Sequence, residues 1–384
     1  YHQEKKSQIK FFRESRTFEF ALGGKLNAYK LFLAKSVTLL KNNGILTKIF
    51  QNSFTADKTA KDLRNYFLTN TTILKLDSFP ERDNVHKRVF KSAKMSVCIM
   101  SILNKKNENN KFEINTHTDK TLENFKKLEI FQKDPYKIDS LNFIFPTGVN
   151  SNEVKLYMKI KENNFPTLYP HYGKSYDGEV SLTFDKKFLS PNKLKGYYPM
   201  LKGAAIQKWF IAKKMSQGIT EYLNLSKYKE KNKGEKTNHY TNKRVVIQGM
   251  TGVGDKVRVK ATMCPKNIFL GNSVNYAIVD NNKIHDEILV CILNSKVINW
   301  FFKFSSTNSN VNGYEINNFP IPKIGDKDQK KLKKIYEEIN LIDFNSRLNE
   351  NQKSNLINLE KKLNNEIYNL YNLSSSDIDL IESS

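Results

Sequence analysis

Between residues 25 and 41 the apolar side chains Leu26, Tyr29, Leu31, Phe32, Leu33, Val37, Leu39 and Leu40 recur mostly at steps of three and four, as an amphipathic helix requires. Asn42-Asn43-Gly44 ends that helix, with Gly44 suited to the left-handed position just beyond it, and ILTKIF at 45–50 reads as a strand. A second helix from Thr55 to Thr69 carries Leu63, Tyr66, Phe67 and Leu68 on its apolar side, and Ile73 to Phe79 forms another strand. VCIMSIL at 97–103 is almost continuously apolar, which predicts a strand covered on both faces. Helix and strand alternating at these lengths predict an open α/β sheet.

The pattern then changes. Asp134 to Asn150 contains Pro135, Pro146 and Gly148 without a clear period, so a domain boundary is placed there. Strand-like runs follow at 154–160 (VKLYMKI), 244–248 (RVVIQ), 257–262 (VRVKAT) and 275–279 (NYAIV), separated by Gly, Pro and Asn. One helix is expected from about His285 to Phe304 and a helical tail from about Lys327 to Leu370. In that tail Leu356, Leu359, Leu363, Ile367 and Leu370 share a face that either packs on other helices or joins a partner in a coiled coil. The polar, basic segment Lys227–Lys243 is either a disordered surface loop or one that orders in a groove.

Charge adds a partner to this outline. The 384 residues include 63 Lys and Arg against 39 Asp and Glu, a net +24, with a mean hydropathy of −0.58. The excess is uneven: residues 1–110 carry 21 basic and 9 acidic side chains and residues 151–320 carry 26 and 13, whereas 111–150 balance at 6 and 6 and 321–384 at 10 and 11. Two basic blocks separated by a neutral stretch point to a polyanion, with a nucleic acid first. Cys98, Cys264 and Cys291 are too few and too scattered for a disulfide framework or a metal site, which suits a reducing, cytoplasmic location. No apolar run reaches about 18 residues, so no membrane span is expected.

Several strings carry a resemblance. NAYKLFLAKSVTLLKNNGILTKIFQNSF (27–54) and DLRNYFL (62–68) resemble the second half of the adenine-specific DNA methyltransferase domain found fused to restriction enzymes. VFKSAKMSVCI (89–99) is similar to the segment that, in the Taq-type adenine methyltransferases, places an aromatic ring under the flipped target base. YYPMLKGAAI (197–206), RVVIQ, VRVKAT, GNSVNYAIV (271–279) and LNSKVINWFFKFSSTNSNVNGYEINNFPIP (293–322) resemble the target-recognition domain of the same type IIG restriction-modification family, and YNLYNLSSSDIDLIE (368–382) the close of its C-terminal helices.

The resemblance implies the C-terminal half of a Rossmann-like methyltransferase α/β sheet over 1–110 and a connector over 111–150. It further implies an α+β target-recognition domain over 151–322, with double-stranded DNA as the partner, and a helical C-terminal segment over 323–384. The family binds S-adenosylmethionine at a Gly-rich turn and methylates with an NPPY-type motif, both N-terminal to the helix near Lys25. Here there is no Pro-Pro pair, and TGVGD at 251–255 lies in the wrong domain without a strand-glycine-helix context. The chain begins with Tyr1 and is expected to be part of a longer protein, with room for a nuclease or methyltransferase region upstream. Alone, it is expected to bind no S-adenosylmethionine, hold no metal and transfer no methyl group. The alternative is a non-catalytic DNA-specificity subunit acting with a separate methyltransferase.

On that match Phe90 is the ring that stacks on an extruded base, its rival reading being an ordinary core residue. Stacking offsets about 1–3 kcal/mol of the cost of extrusion. Lys87 and Arg88 sit in the basic turn before it. In the second block Lys195 and Lys202 lie among aromatics as candidate phosphate contacts. Arg244, Gln248, Arg258 and Asn275 are the candidates to read base edges, since Arg, Gln and Asn can pair bidentately with a base. Alternation in VRVKAT places Lys260 on the face of Arg258. Asn310, in the Asn- and Ser-rich stretch 305–315, either caps a turn or faces DNA.

Overall fold

The apolar run at 97–103 lies inside a five-stranded sheet, as its composition requires. A computed structural model of the protein describes residues 2–24, 26–214, 218–252, 255–305 and 310–383. Two compact units result, one running to Lys159 and taking in Phe304, the other made of Ile160–Lys303 and the residues from Asn310 on.

In the first unit, strands β1 (Ile45–Gln51), β2 (Thr72–Phe79), β3 (Val97–Leu103), β4 (Lys111–His117) and β5 (Phe125–Phe131) stand in the order β1-β3-β2-β4-β5. Only β2 and β4 are parallel neighbours. Helices α1 (His2–Glu14), α2 (Ala28–Thr38), α3 (Lys61–Asn70) and α4 (Asp134–Ile138) accompany the sheet, and Leu33, Ala34 and Val37 of α2 and Leu63 and Phe67 of α3 are buried. Arg64 of α3 is buried with them. Its Nε donates to the carbonyls of Asn142 (2.9 Å) and Phe143 (3.1 Å), Nη1 to those of Phe54 (2.5 Å) and Asp57 (2.9 Å), and Nη2 to Asn142 again (2.6 Å).

Residues 111–131, expected as part of a connector, instead supply β4 and β5, because Phe112, Ile114, Leu128 and Ile130 alternate inward against the sheet. The left-handed residue after α2 is Asn43 (φ 57°) rather than Gly44. VKLYMKI is helical within α5 (Ser151–Glu162). The buried positions Glu153, Leu156, Tyr157 and Ile160 follow the helical period, and Asn150 and Glu153 cap the first turn reciprocally: Asn150 Oδ1 accepts from Glu153 N (3.0 Å) and Glu153 Oε2 from Asn150 N (2.8 Å).

The second unit holds strands β6 (Gly173–Asp177), β7 (Leu189–Ser190), β8 (Tyr197–Leu201), β9 (Glu221–Asn224), β10 (Arg244–Gln248), β11 (Ala261–Cys264), β12 (Phe269–Leu270) and β13 (Val274–Val279). They form two four-stranded sheets, β11-β10-β13-β6 and β12-β8-β9-β7. Its helices are α6 (Leu225–Lys231), α7 (Asp286–Leu293), α8 (Lys296–Ser305), α9 (Gly313–Asn317), α10 (Asp326–Asn340), α11 (Glu350–Leu370) and α12 (Ser375–Glu382). Leu359, Leu363 and Ile367 of α11 are buried, and the chain ends in helices as expected.

Three local expectations change. The segment 227–243 is folded: α6 and a 3-10 turn over Glu235–Thr241 send Tyr228 and Tyr240 into a core with Val180, Met200, Leu223 and Phe269. Residues 257–260 are not in a strand, because the Asn299 side chain, not a neighbouring strand, accepts from the amides of Arg258 and Val259, both at 2.9 Å. The helix expected over 285–304 is broken between α7 and α8 by Asn294 and Ser295, whose Oγ accepts from Ile298 N at 3.3 Å. Cys98, Cys264 and Cys291 are buried and unbridged, and burial pushes all three thiols up, Cys264 to about 12. No helix among the described residues is long and apolar enough to cross a membrane.

Candidate nucleic-acid interface

Each candidate base reader of the second unit has a strand or loop address, and burial sorts them. Arg244 opens β10 but is 0% exposed. Its Nη1 pairs with the equally buried Glu179, Nη2 donates to the Ile268 carbonyl at 2.5 Å, and the guanidinium lies 4.8 Å from the Tyr276 ring centre. Glu179 Oε2 also accepts from Leu270 N at 3.0 Å. Burial pushes the Glu179 carboxyl up while Arg244 pulls it back. Arg244 is therefore corrected from base reader to core ion pair, since every neighbour in RVVI is buried and no face of that strand meets solvent.

Arg258 is likewise corrected. It is 7% exposed, 4.8 Å above the Phe302 ring, and its Nε donates to Thr251 Oγ1 at 3.3 Å. Asn275 is 5% exposed and its amide donates to the Val311 carbonyl at 2.5 Å, so it supports the 310–313 loop from beneath instead of reading a base. Gln248 is half-buried at the end of β10, and its Oε1 is buried with no hydrogen-bond partner among the described residues.

The lysines divide too. Lys195 is exposed, whereas Lys202 is paired with Glu221 and Lys260 with Asp255 at 3.5 Å. Asn310 is exposed, and Asn312 caps α9 through Glu315. Ser306, Thr307, Asn308 and the centre of TGVGD lie outside the described residues.

In the first unit Phe90 stands in the loop between β2 and β3 with its ring 41% exposed, which removes the reading of an ordinary core residue. Lys87 is exposed beside it. Arg88 is half-buried and fixes the loop by donating to the carbonyls of Arg82 (3.3 Å) and Lys91. Lys120 N donates to the Lys87 carbonyl at 2.7 Å, which ties this loop to the β4–β5 connection.

A feature that sequence reasoning passed over lies on β6, the edge strand of its sheet. A cleft of about 410 Å³ opens between β6 and α9, lined by Ser175, Asp177, Lys236, Asn312, Gly313 and Tyr314. Ser175 is 6% exposed and its Oγ has no partner, while the exposed Asp177 carboxylate makes no hydrogen bond or ion pair, both among the described residues. Asn317 Oδ1 accepts from Ser175 N at 2.7 Å and holds α9 against the strand. The i, i+2 spacing of Ser175 and Asp177 was the available signal, but nothing in GKSYDG marked it as an edge.

Among the described residues, the one pair of adjacent glycines does not fit a cofactor cradle. The only adjacent glycines, Gly23 and Gly24, pack against Thr59, where a Cβ would lie 2.7 Å from its carbonyl oxygen and 2.5 Å from its Cγ2. Among the described residues no group of three His, Cys, Asp or Glu side chains could hold a metal ion.

Residues 1–86 match the Eco57I restriction-modification methylase family, and residues 198–321 match the TaqI-like C-terminal specificity domain. The chain thus combines a restriction-modification methylase segment with a specificity domain. Its fold is similar to that of the type IIL restriction-modification enzyme MmeI, solved in complex with DNA, with 13% identity, a TM-score of 0.57, and 93% of this chain and 52% of that one covered. The type IIG restriction endonuclease BpuSI aligns at 13% identity over 94% of this chain and 51% of its own, with a TM-score of 0.37. The chain spans about half the length of these two enzymes. No curated protein sequence matches it.

Proposed function

We propose that this chain is the DNA-binding and sequence-recognition part of a site-specific adenine-N6 DNA methyltransferase within a restriction-modification enzyme. The observation that carries the reading is the methylase segment joined, in one chain, to a TaqI-like specificity domain. The 26 basic against 13 acidic side chains of residues 151–320 supply its attraction for phosphate. The methylase family implies S-adenosylmethionine as the methyl donor of the whole protein. The adjacent glycines Gly23 and Gly24, packed against Thr59, do not supply its cradle.

Duplex binding that weakens steeply with salt is the expected result, with log K falling by about 0.9 per neutralised phosphate for each log unit of salt. A filter-binding titration with no salt slope removes duplex DNA as the partner. In this reading the exposed Phe90 ring stacks on an extruded adenine, with Lys87 beside it for the phosphate. Phe90→Ala should then cost about 1–3 kcal/mol in binding a duplex with one unpaired adenine while leaving a fully paired duplex unaffected. Equal losses on both duplexes, or none, show that Phe90 does not stack on the base.

A further inference from the structure

Asp177 is out of character with its surroundings. A negative side chain on a phosphate-binding domain repels the partner, and this one is exposed and forms no ion pair among the described residues. Two cleft residues from the sequence's basic and hydroxyl classes flank it: Lys236, and Ser175, whose buried Oγ also lacks a partner. A buried hydroxyl without a hydrogen bond is costly, and a ligand that supplies one recovers that cost.

A methyl group on Gly313 would lie 3.6 Å from Ser175 Oγ and 3.6 Å from Asp177 Oδ1, so both oxygens face the bare backbone of Gly313. That backbone is held in place on two sides. The reciprocal cap between Asn312 and Glu315 fixes it from α9, and the Asn275 amide, bonded to the Val311 carbonyl, fixes the loop that leads into it. The cleft is therefore a preorganised pocket with two oxygen acceptors, one of which can also donate.

A carboxylate can only accept. Phosphate and sugar-phosphate oxygens offer it nothing, whereas the base edges of the major groove offer the exocyclic amino groups of cytosine N4 and adenine N6. We infer that the cleft between β6 and α9 reads one base of the DNA target through such an amino group, with the exposed Asp177 accepting from it and the buried Ser175 hydroxyl forming the polar floor of the pocket. The inference rests on the proposed role in DNA recognition. It adds the specificity-determining residues and the chemical group they recognise. Asn275 is a positioning residue for this pocket.

The test is selection of bound sites from a pool of randomised duplexes by the full chain, comparing the unaltered protein with Asp177→Ala and Gly313→Ala. Asp177 is an exposed edge residue. Gly313 does not have left-handed backbone and a Cβ there meets only ordinary contacts, so both variants should fold. The unaltered chain should enrich a motif with adenine or cytosine at one fixed position, and the enriched base itself decides between the two. Both variants should lose about 5- to 150-fold of the preference at that position alone. Affinity for random duplex should stay level or rise with Asp177→Ala, because a negative charge has gone. An unchanged motif in both variants, or salt-dependent binding by the unaltered chain with no motif at all, overturns the inference and leaves DNA binding standing. Absence of salt-dependent binding by the unaltered chain overturns the proposed function itself.

Discussion

Arg244→Ala is expected to destabilise the protein by about 3–5 kcal/mol in urea unfolding, through the second unit, because it leaves the Glu179 carboxylate buried without its cation. Glu179 then keeps backbone amides, Leu270 N at 3.0 Å among them, but no cation, and burial already pushes its carboxyl up. The loss should come from that stranded acid and not from the missing attraction as such. Replacing both partners, Arg244→Met with Glu179→Gln, should therefore recover most of the stability. If the double variant is as unstable as Arg244→Ala, the penalty lies in packing against Tyr276 and not in the unpaired charge. Any loss of DNA binding in the single variant should follow its unfolding curve, since a residue at 0% exposure cannot contact a base in this conformation.

Arg64→Ala should cost about 3 kcal/mol or more in the first unit, since each hydrogen bond to a charged group contributes about 1.5–3 kcal/mol and five are removed together. Arg64→Lys should rescue little. An ammonium has three donors on one nitrogen, and it cannot reach the separate carbonyls of Phe54, Asp57, Asn142 and Phe143 that the guanidinium fork spans. Chemical denaturation checks both variants, and full stability in Arg64→Lys would mean that one or two of these bonds carry the whole effect. Arg64 sits inside DLRNYFL, where its neighbours read as an ordinary apolar helix face, so nothing in the local pattern announced a buried cation.

The same limit separates what was legible in the sequence from what was not. β1, β2 and β3 could be read because their apolar runs are bounded by turn residues, and β2 and β3 bury most of theirs while the edge strand β1 buries only Phe50. VKLYMKI satisfies both periods: Val154, Leu156, Met158 and Ile160 alternate, while Leu156, Tyr157 and Ile160 follow a helix. The deciding signal was the Asn150–Glu153 cap upstream of the run. In VRVKAT the alternation is real, but a side-chain amide from Asn299 satisfies the backbone there, a partner some forty residues away that no local pattern encodes.

The base readers were misplaced for a related reason. Arg and Asn are suited to base edges and equally to buried networks, and only tertiary burial separates Arg244, Arg258 and Asn275 from a solvent-facing role. Lys227–Lys243 looked featureless because 17 mostly polar residues conceal Tyr228 and Tyr240, which are enough to anchor it.

The three buried thiols have a practical consequence. A maleimide or iodoacetamide reacts with the thiolate, and Cys98, Cys264 and Cys291 are both sealed from solvent and held protonated at neutral pH, Cys264 with a value of about 12. The native chain should therefore take up almost no fluorophore while folded. A single cysteine introduced at the exposed Ser354 of α11, away from the candidate phosphate contacts, would be the one site that reacts, giving a dye-labelled protein with which duplex binding can be followed without removing any native residue from the core.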